Sequence, residues 1–481
     1  MIEKIKAYIK FMEPDWDDLF LLIGFLSAVP FYAFSWLFMV TSNPDDVPFK
    51  LWMIIACGAI TTICWSIYFY FQVKKGRIKN SVFTWLFVFF AIISLVSVLV
   101  QPKDFSIDMV YRPIGAINNP DFVNGPDYIG IMPGTVVNVT ATITPIHRLF
   151  FAFASVFITT IFYIIFLVLP QRLKTTNFLI LCGICTFIFL FILIGYSYIT
   201  EYYKYPLFFQ NLFNGDFQGI YHVDNQICSF VAQRVPYGVC LMLGVIFALV
   251  VHAITKKWYL YLLAAFYYIN MIFSYNKTSL ALTLLGAFVY IIIRLIETFK
   301  EYRKRNTIIF IVFGSIIVTG LGVVGISYVT KGAVLSFIYN ILKSFTNDTT
   351  MISRSYIWDN TFHLLQDGWW LLGRGFGTYH VMLYPMNLQN GDNVCPSHSS
   401  YNAVLGAGGI FSLFGFIALI AYYGYVFYQC FKIDKFKTMK LSIGVFSFLF
   451  YTFTEGVNYL LAFFMFPLFV FYHTKRKEMS L

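Results

Sequence analysis

Charge is scarce in this sequence. Of 481 residues, 12% are Asp, Glu, Lys or Arg and 59% are hydrophobic, and the mean hydropathy is +0.71. Soluble domains carry about 25% charged and about 45–50% apolar residues, so a soluble enzyme, a disordered scaffold and a secreted disulfide framework are excluded. Cysteine is also sparse, at eight residues. Cys57, Cys64, Cys182, Cys185 and Cys240 fall inside apolar runs and Cys430 ends one, which leaves Cys228 and Cys395 as a pair that an oxidising compartment could join. Cys182-Gly-Ile-Cys185 has C-x-x-C spacing, but it lies in mid-run with no second pair or His partner and reads as small-residue packing. Metal-ligand patterns are missing as well: there is no H-E-x-x-H, and no two histidines lie four residues apart. Inside the apolar runs ionisable residues are nearly absent, with Arg294 and His252 at one set of ends and Arg234 and Glu455 at the other. Ion-coupled transport places such groups near the bilayer midplane, so pumping is disfavoured.

Long uncharged runs are abundant. About 20 apolar residues cross the hydrocarbon layer, and that length selects 19–41, 51–73, 81–100, 149–169, 178–198, 235–254, 258–275, 279–296, 307–329, 403–429, 441–454 and 456–473. The expected fold is all-α: a single polytopic membrane domain over 1–481 with about 12 transmembrane helices. Only Glu455-Gly-Val-Asn458 separates the last two runs, so a re-entrant pair is the alternative there. The polar, amphipathic Met1–Asp18 segment and the length of the first run do not fit a cleavable signal peptide.

The +11 formal charge is explained by orientation. Lys and Arg number 23 on the side of the short turns and termini and 11 on the side of the long loops. The positive-inside bias therefore puts both termini in the cytoplasm, and nucleic acid has no place in the account. Three external segments are too long for simple turns: 101–148, 199–234, and 331–402 between spans nine and ten. Such loops are usually functional. The first, rich in Pro, Gly and Asn, reads as an irregular cap ending in the strand-like Val136 to Ile143. In the third, Ile357, Trp358, Phe362 and Leu365 share one face of a helix over 353–366 that lies on or near the membrane surface. Aromatic residues, at 21% of the chain, fit interfacial belts.

The polar chemistry gathers on the external side, where His147, His222, His363, His380 and His398 lie among several arginines. Asp359 stands four residues before His363, so a helical hydrogen bond accounts for that histidine. Gly373-Arg-Gly-Phe-Gly377 follows no strand and lacks the Lys-Ser/Thr of a nucleotide loop, so it reads as a flexible turn.

More specific is Ser397-His398-Ser-Ser-Tyr-Asn402 running into Gly406-Ala-Gly-Gly409. It resembles the bacterial O-antigen ligase and O-antigen polymerase superfamily, whose pattern is His, then Asn, Ser or Gln, nine residues, and Gly-x-x-Gly/Thr/Tyr. His398-Ser399, the nine residues 400–408 and Gly409 fit, and Ser412 departs at the last position. Arg354-Ser-Tyr-Ile-Trp358, Gly373-Arg-Gly-Phe-Gly-Thr-Tyr379, and Asn214-Gly-Asp-Phe217 with Asp224-Asn225 resemble further family segments in the family's order. Asn276-Lys277-Thr278 stands where the family often has Arg.

The resemblance implies glycosyl transfer at the external face of the bacterial cytoplasmic (inner) membrane. The donor is a glycan on undecaprenyl diphosphate and the acceptor a sugar on another lipid, lipid A-core for a ligase or a second carrier-linked repeat unit for a polymerase. The pattern around His398 is closest to the ligase form. On this reading Arg234, Arg354 and Lys277 hold the diphosphate, since guanidinium forks match phosphate oxygens. His398 is the general base for the acceptor hydroxyl. The bland alternatives are headgroup-snorkelling arginines and a His398 that caps the tenth span. No cofactor and no metal are expected, because the external loops lack Asp-x-Asp and His clusters. The expected partners are the two lipid-linked glycans and membrane lipids. A lipid-linked oligosaccharide flippase or exporter, from a different class, would need a charged cavity within the spans.

Overall fold

The computed structural model describes residues 48–76, 82–112, 131–163, 176–214, 225–229, 234–302, 348–389, 399–454 and 461–479, part of 19–27, and single positions between these ranges. In chain order come α1 (Pro48–Lys74), α2 (Val82–Leu99), β1 (Asp104–Val110), β2 (Val136–Thr142) and α3 (Pro145–Tyr163). Next are α4 (Thr176–Thr200), α5 (Lys204–Asn214), α6 (Arg234–Thr255), α7 (Tyr259–Ile272) and α8 (Lys277–Tyr302). The last are α9 (Asp348–Leu364), α10 (Thr378–Gln389), α11 (Ser400–Ile433), α12 (Lys435–Thr454) and α13 (Leu461–Met479).

The protein is therefore mainly helical. Among the described residues Ala56–Lys74, Tyr237–Thr255, Lys277–Thr298 and Ser400–Ile433 are long and apolar enough to cross a membrane, as is the bent pair Thr186–Thr200 and Lys204–Asn214 taken together. The described residues of the expected runs at 51–73, 81–100, 149–169, 178–198, 235–254, 258–275, 279–296, 403–429, 441–454 and 456–473 fall on helices, apart from a few at run ends such as the turn at 273–275. Run 19–41 is described only in part, and most of 307–329 and all of Glu455–Asn458 lie outside the described residues.

One expectation needs correcting, because the segment 101–148, expected to be an irregular cap, contains a regular hairpin, and the fold is not purely helical. β1 and β2 form an antiparallel pair with Asp104 opposite Thr142 and Val110 opposite Val136. Both strands alternate with period two. Phe105, Met109 and Val139 point inward, while outside Ser106 donates to Asn138 Oδ1 (3.0 Å) and Asn138 Nδ2 to Asp108 (2.7 Å).

The chain divides into two compact units, one of Met1–Lys174, Asp348–Gly424 and Thr452–Phe463, the other of Thr175–Asn347, Tyr425–Tyr451 and Phe464–Leu481. In the first, α2 packs on α3, and α10 packs on β2, α9 and α3. Burial of Phe105, Met109, Val139, Ile143, Leu364, Tyr379, Met382, Leu383 and Met386 gives the hairpin, α9 and α10 a common apolar core, favoured by the removal of apolar surface from water. The face predicted for the interfacial helix is divided: Ile357 and Leu365 are buried, whereas Phe362 is exposed and stacks on Trp370 at 5.8 Å.

In the second unit α6 is the centre, packing on α4, α7 and α8. Close approach depends on small residues: a side chain on Gly244 would strike Leu190 and Tyr267, and one on Gly183 would strike Val251. At the predicted cytoplasmic ends Glu297 pairs with Arg294 (2.6 Å) and Lys440 (2.8 Å), tying α8 to α12.

Candidate functional site

In the second unit Arg234 and Lys277 each open a helix, α6 and α8 respectively, and both are half-buried. Their helix starts lie side by side. Asn276 caps α8 by accepting the Ser279 N–H on Oδ1 (3.2 Å), and its Nδ2 faces the Val235 carbonyl (3.4 Å) and the Tyr451 hydroxyl (3.1 Å). Gly238 permits this approach, since a Cβ there would fall 2.8 Å from Asn276 atoms. Tyr275, just before the cap, takes a left-handed φ of 49°, and Lys277 Nζ lies 5.2 Å from its ring centroid. Two helix amino ends thus meet, each bearing a cation. Helix amino ends carry partial positive charge and free N–H groups, so the locus suits an anion.

The chain entering α6 is held by a pair that the sequence reading missed. The Glu201 carboxylate accepts Lys204 Nζ (2.8 Å) and the backbone N–H groups of Ser229 (2.7 Å) and Cys228 (3.2 Å), while Lys204 also donates to the Gln226 carbonyl (2.9 Å). Its sequence signal was an acid and a base three residues apart just beyond the apolar run 178–198. Cys228 is a free, buried thiol, and burial beside the Glu201 charge pushes it up to about 12 against the opposing pull of Lys204 and Arg234. Its suggested partner Cys395 lies outside the described residues.

In the first unit two motifs read separately from the sequence come together. Gly373-Arg-Gly-Phe-Gly377 is no flexible turn: Gly373, Arg374 and Gly375 are buried, and its backbone runs along α11. Arg374 N donates to Gly406 O (2.8 Å), Gly375 N to Ala407 O (2.8 Å), and Ile410 N to Trp370 O (2.8 Å). These bonds are available because α11 breaks at Gly409 (φ 64°, ψ −164°), which releases carbonyls and an N–H from the helical ladder. At both Gly373 and Gly409 the facing backbone leaves no room for a side chain. A Cβ on Gly373, at φ 67°, would lie 2.5 Å from Gly409 N, and one on Gly409 would strike Leu371 O. From α2, Ser97 Oγ donates to Leu372 O (2.7 Å).

Arg374 is a second residue that sequence reasoning overlooked. Its Nε donates to Leu364 O at the carboxyl end of α9 (2.6 Å), and the guanidinium lies over the Trp369 ring (4.4 Å) and near Phe105 (5.5 Å). Burial lowers it to about 10, partly offset by Asp367. Thr361 and Tyr379 share a hydroxyl bond (2.6 Å) and Asn360 Nδ2 donates to Asn387 (3.1 Å), so α9 is fastened to α10 as well.

Arg354 belongs to α9, in the first unit, and Lys277 and Arg234 to the second. His398, with His222 and Asp224, lies outside the described residues; its neighbours Ser399 and Ser400 are buried at the start of α11. The expected helical bond of His363 to Asp359 is replaced. His363 Nε2 meets the Asp108 carbonyl (2.8 Å), because β1 packs against this end of α9, and Asp359 instead lies 4.0 Å from Arg112. His380 Nδ1 and Trp358 Nε1 are buried without hydrogen-bond partners among the described residues, and burial lowers His380 to about 4.

No curated protein and no solved structure matches the chain. Residues 259–417, however, match the family model described as O-antigen ligase. That stretch holds Lys277, Arg354, the glycine turn and the His398 segment, and over it the chain is similar to the O-antigen ligase family, which supports the resemblance to the O-antigen ligase and polymerase superfamily.

Proposed function

We propose that this protein is a membrane glycosyltransferase that moves a glycan from undecaprenyl diphosphate to a sugar of lipid A-core on the external face of the bacterial inner membrane. The observation that carries the reading is the O-antigen ligase match at 259–417. The acceptor hydroxyl attacks the anomeric carbon, the bond from that carbon to the diphosphate oxygen breaks, and the diphosphate leaves with the electron pair. His398 takes the hydroxyl proton. Arg234, Lys277 and Arg354 stabilise the charge that grows on the leaving group; the juxtaposed amino ends of α6 and α8 support this for the first two. A polymerase would use the same residues and differ only in its acceptor, and the ligase is preferred for the form of the His398 pattern.

Because the charge neutralisers are basic side chains, the chemistry needs no divalent ion. Full-length protein in nanodiscs should transfer glycan in excess EDTA, and His398→Ala should lose at least the ~10²-fold that a general base supplies, with donor binding largely kept. Strict dependence on Mg²⁺ or Mn²⁺ would defeat the metal-free part. Near-normal turnover in His398→Ala would remove the base assignment.

A further inference from the structure

The helix α5 has three differently dressed faces. Lys204, Tyr205, Phe208, Asn211 and Leu212 are buried in the second unit, where Phe208 meets Phe273 edge-on at 5.2 Å. At about 100° per residue, Phe209 and Phe213 fall on one exposed flank, and Gln210 and Asn214 on the other. The two phenyl rings stack on each other at 6.4 Å and remain 44% and 54% exposed. Water on both flanks gives no reason for this division. A boundary with hydrocarbon on one side and water on the other does.

The path of the chain agrees. α5 leaves α4 at an angle of 79° after a break of three residues, among them the exposed Tyr202 and Tyr203. The exposed side chains of α4 include Ile184, Ile188, Phe191, Ile192 and Ile199, a surface suited to lipid tails. The expected apolar run 178–198 lies on α4, and with α4 across the membrane a helix nearly perpendicular to it runs along the membrane plane, with Tyr at the turn marking the headgroup level.

We propose that α5 lies flat in the external leaflet at the headgroup boundary, with Phe209 and Phe213 among the acyl chains and Gln210 and Asn214 toward water. The occupant of the aromatic flank is the bilayer. This placement uses nothing of the proposed reaction, so it stands or falls independently of it.

The test uses full-length protein in nanodiscs of phosphatidylethanolamine and phosphatidylglycerol. Phe213→Cys and Gln210→Cys are labelled with a nitroxide, the signal of the labelled parent chain is subtracted, and collision with oxygen and with a water-soluble nickel chelate is measured. Oxygen should dominate at position 213 and the chelate at position 210. Chelate dominance at both positions would place α5 in water and overturn the proposal. Shielding of position 213 from both reagents would mean that protein covers the flank, and would overturn it equally. If Phe213→Cys does not fold, Phe209→Cys on the same flank gives the same reading.

Discussion

A single side chain decides most where geometry, not charge alone, is required. If Arg354 grips phosphate oxygens through its planar fork, Arg354→Ala should abolish transfer and Arg354→Lys should restore little, since an ammonium cannot make a bidentate contact. Full activity of the Lys variant in a nanodisc transfer assay would reduce Arg354 to a generic positive charge. His380 carries a different kind of consequence. Burial holds it to about 4 in the folded protein, below the ordinary ~6.5. Between those values the unfolded chain binds a proton that the folded one refuses, so stability falls as pH drops from about 6.5 toward 4. A thermal melt series over that window should show a decline in Tm that is shallower in His380→Gln. The proposed role of Arg354 is read from the sequence, but the burial of His380, one of five histidines expected on the external side, is not legible there, because it is set by the packing of its helix α10 on β2, α9 and α3, elements distant along the chain.

Elements were legible to the extent that the solvent imposes them. The bilayer demands uncharged runs, so the helix positions α1 to α4, α6 to α8 and α11 to α13 follow from composition, whereas α5 falls in the segment 199–234, expected as an external loop. β2 showed as strand-like, and β1 carries the same alternation, Asp104-Phe-Ser-Ile-Asp-Met109, but is followed by a Pro- and Gly-rich stretch that concealed it. The seating of the glycine turn on the break in α11 was invisible, because it joins segments 32 to 40 residues apart through two backbones that touch. That seating makes a graded prediction. Gly134 has φ 92° with open space around it, so Gly134→Ala meets only the left-handed penalty of about 1–2 kcal/mol. Gly373→Ala adds a collision with the Gly409 backbone and should lower Tm clearly further, with loss of transfer. Equal effects in the two variants would show that the turn is not tightly seated. Asn276→Ala should cost about 1 kcal/mol from the lost cap, measured as the Tm difference from the parent chain.

For the molecule as a whole, the charge distribution predicts which face does the proposed chemistry. If both termini are cytoplasmic, as the charge bias predicts, cysteines introduced at Gly125 and Asn390 should react with an impermeant reagent in intact cells and one at Lys304 should not; labelling at Lys304 would invert every external assignment. The central claim, that the glycan–diphosphate bond is broken and remade on a lipid acceptor, is tested most directly with purified protein in nanodiscs. The donor is a glycan on undecaprenyl diphosphate, the acceptor lipid A-core, and mass spectrometry follows both. The account predicts glycosylated lipid A-core together with one undecaprenyl diphosphate released for each glycan transferred. A donor that stays intact with both substrates present, or that crosses the bilayer with its bond unbroken, would contradict it.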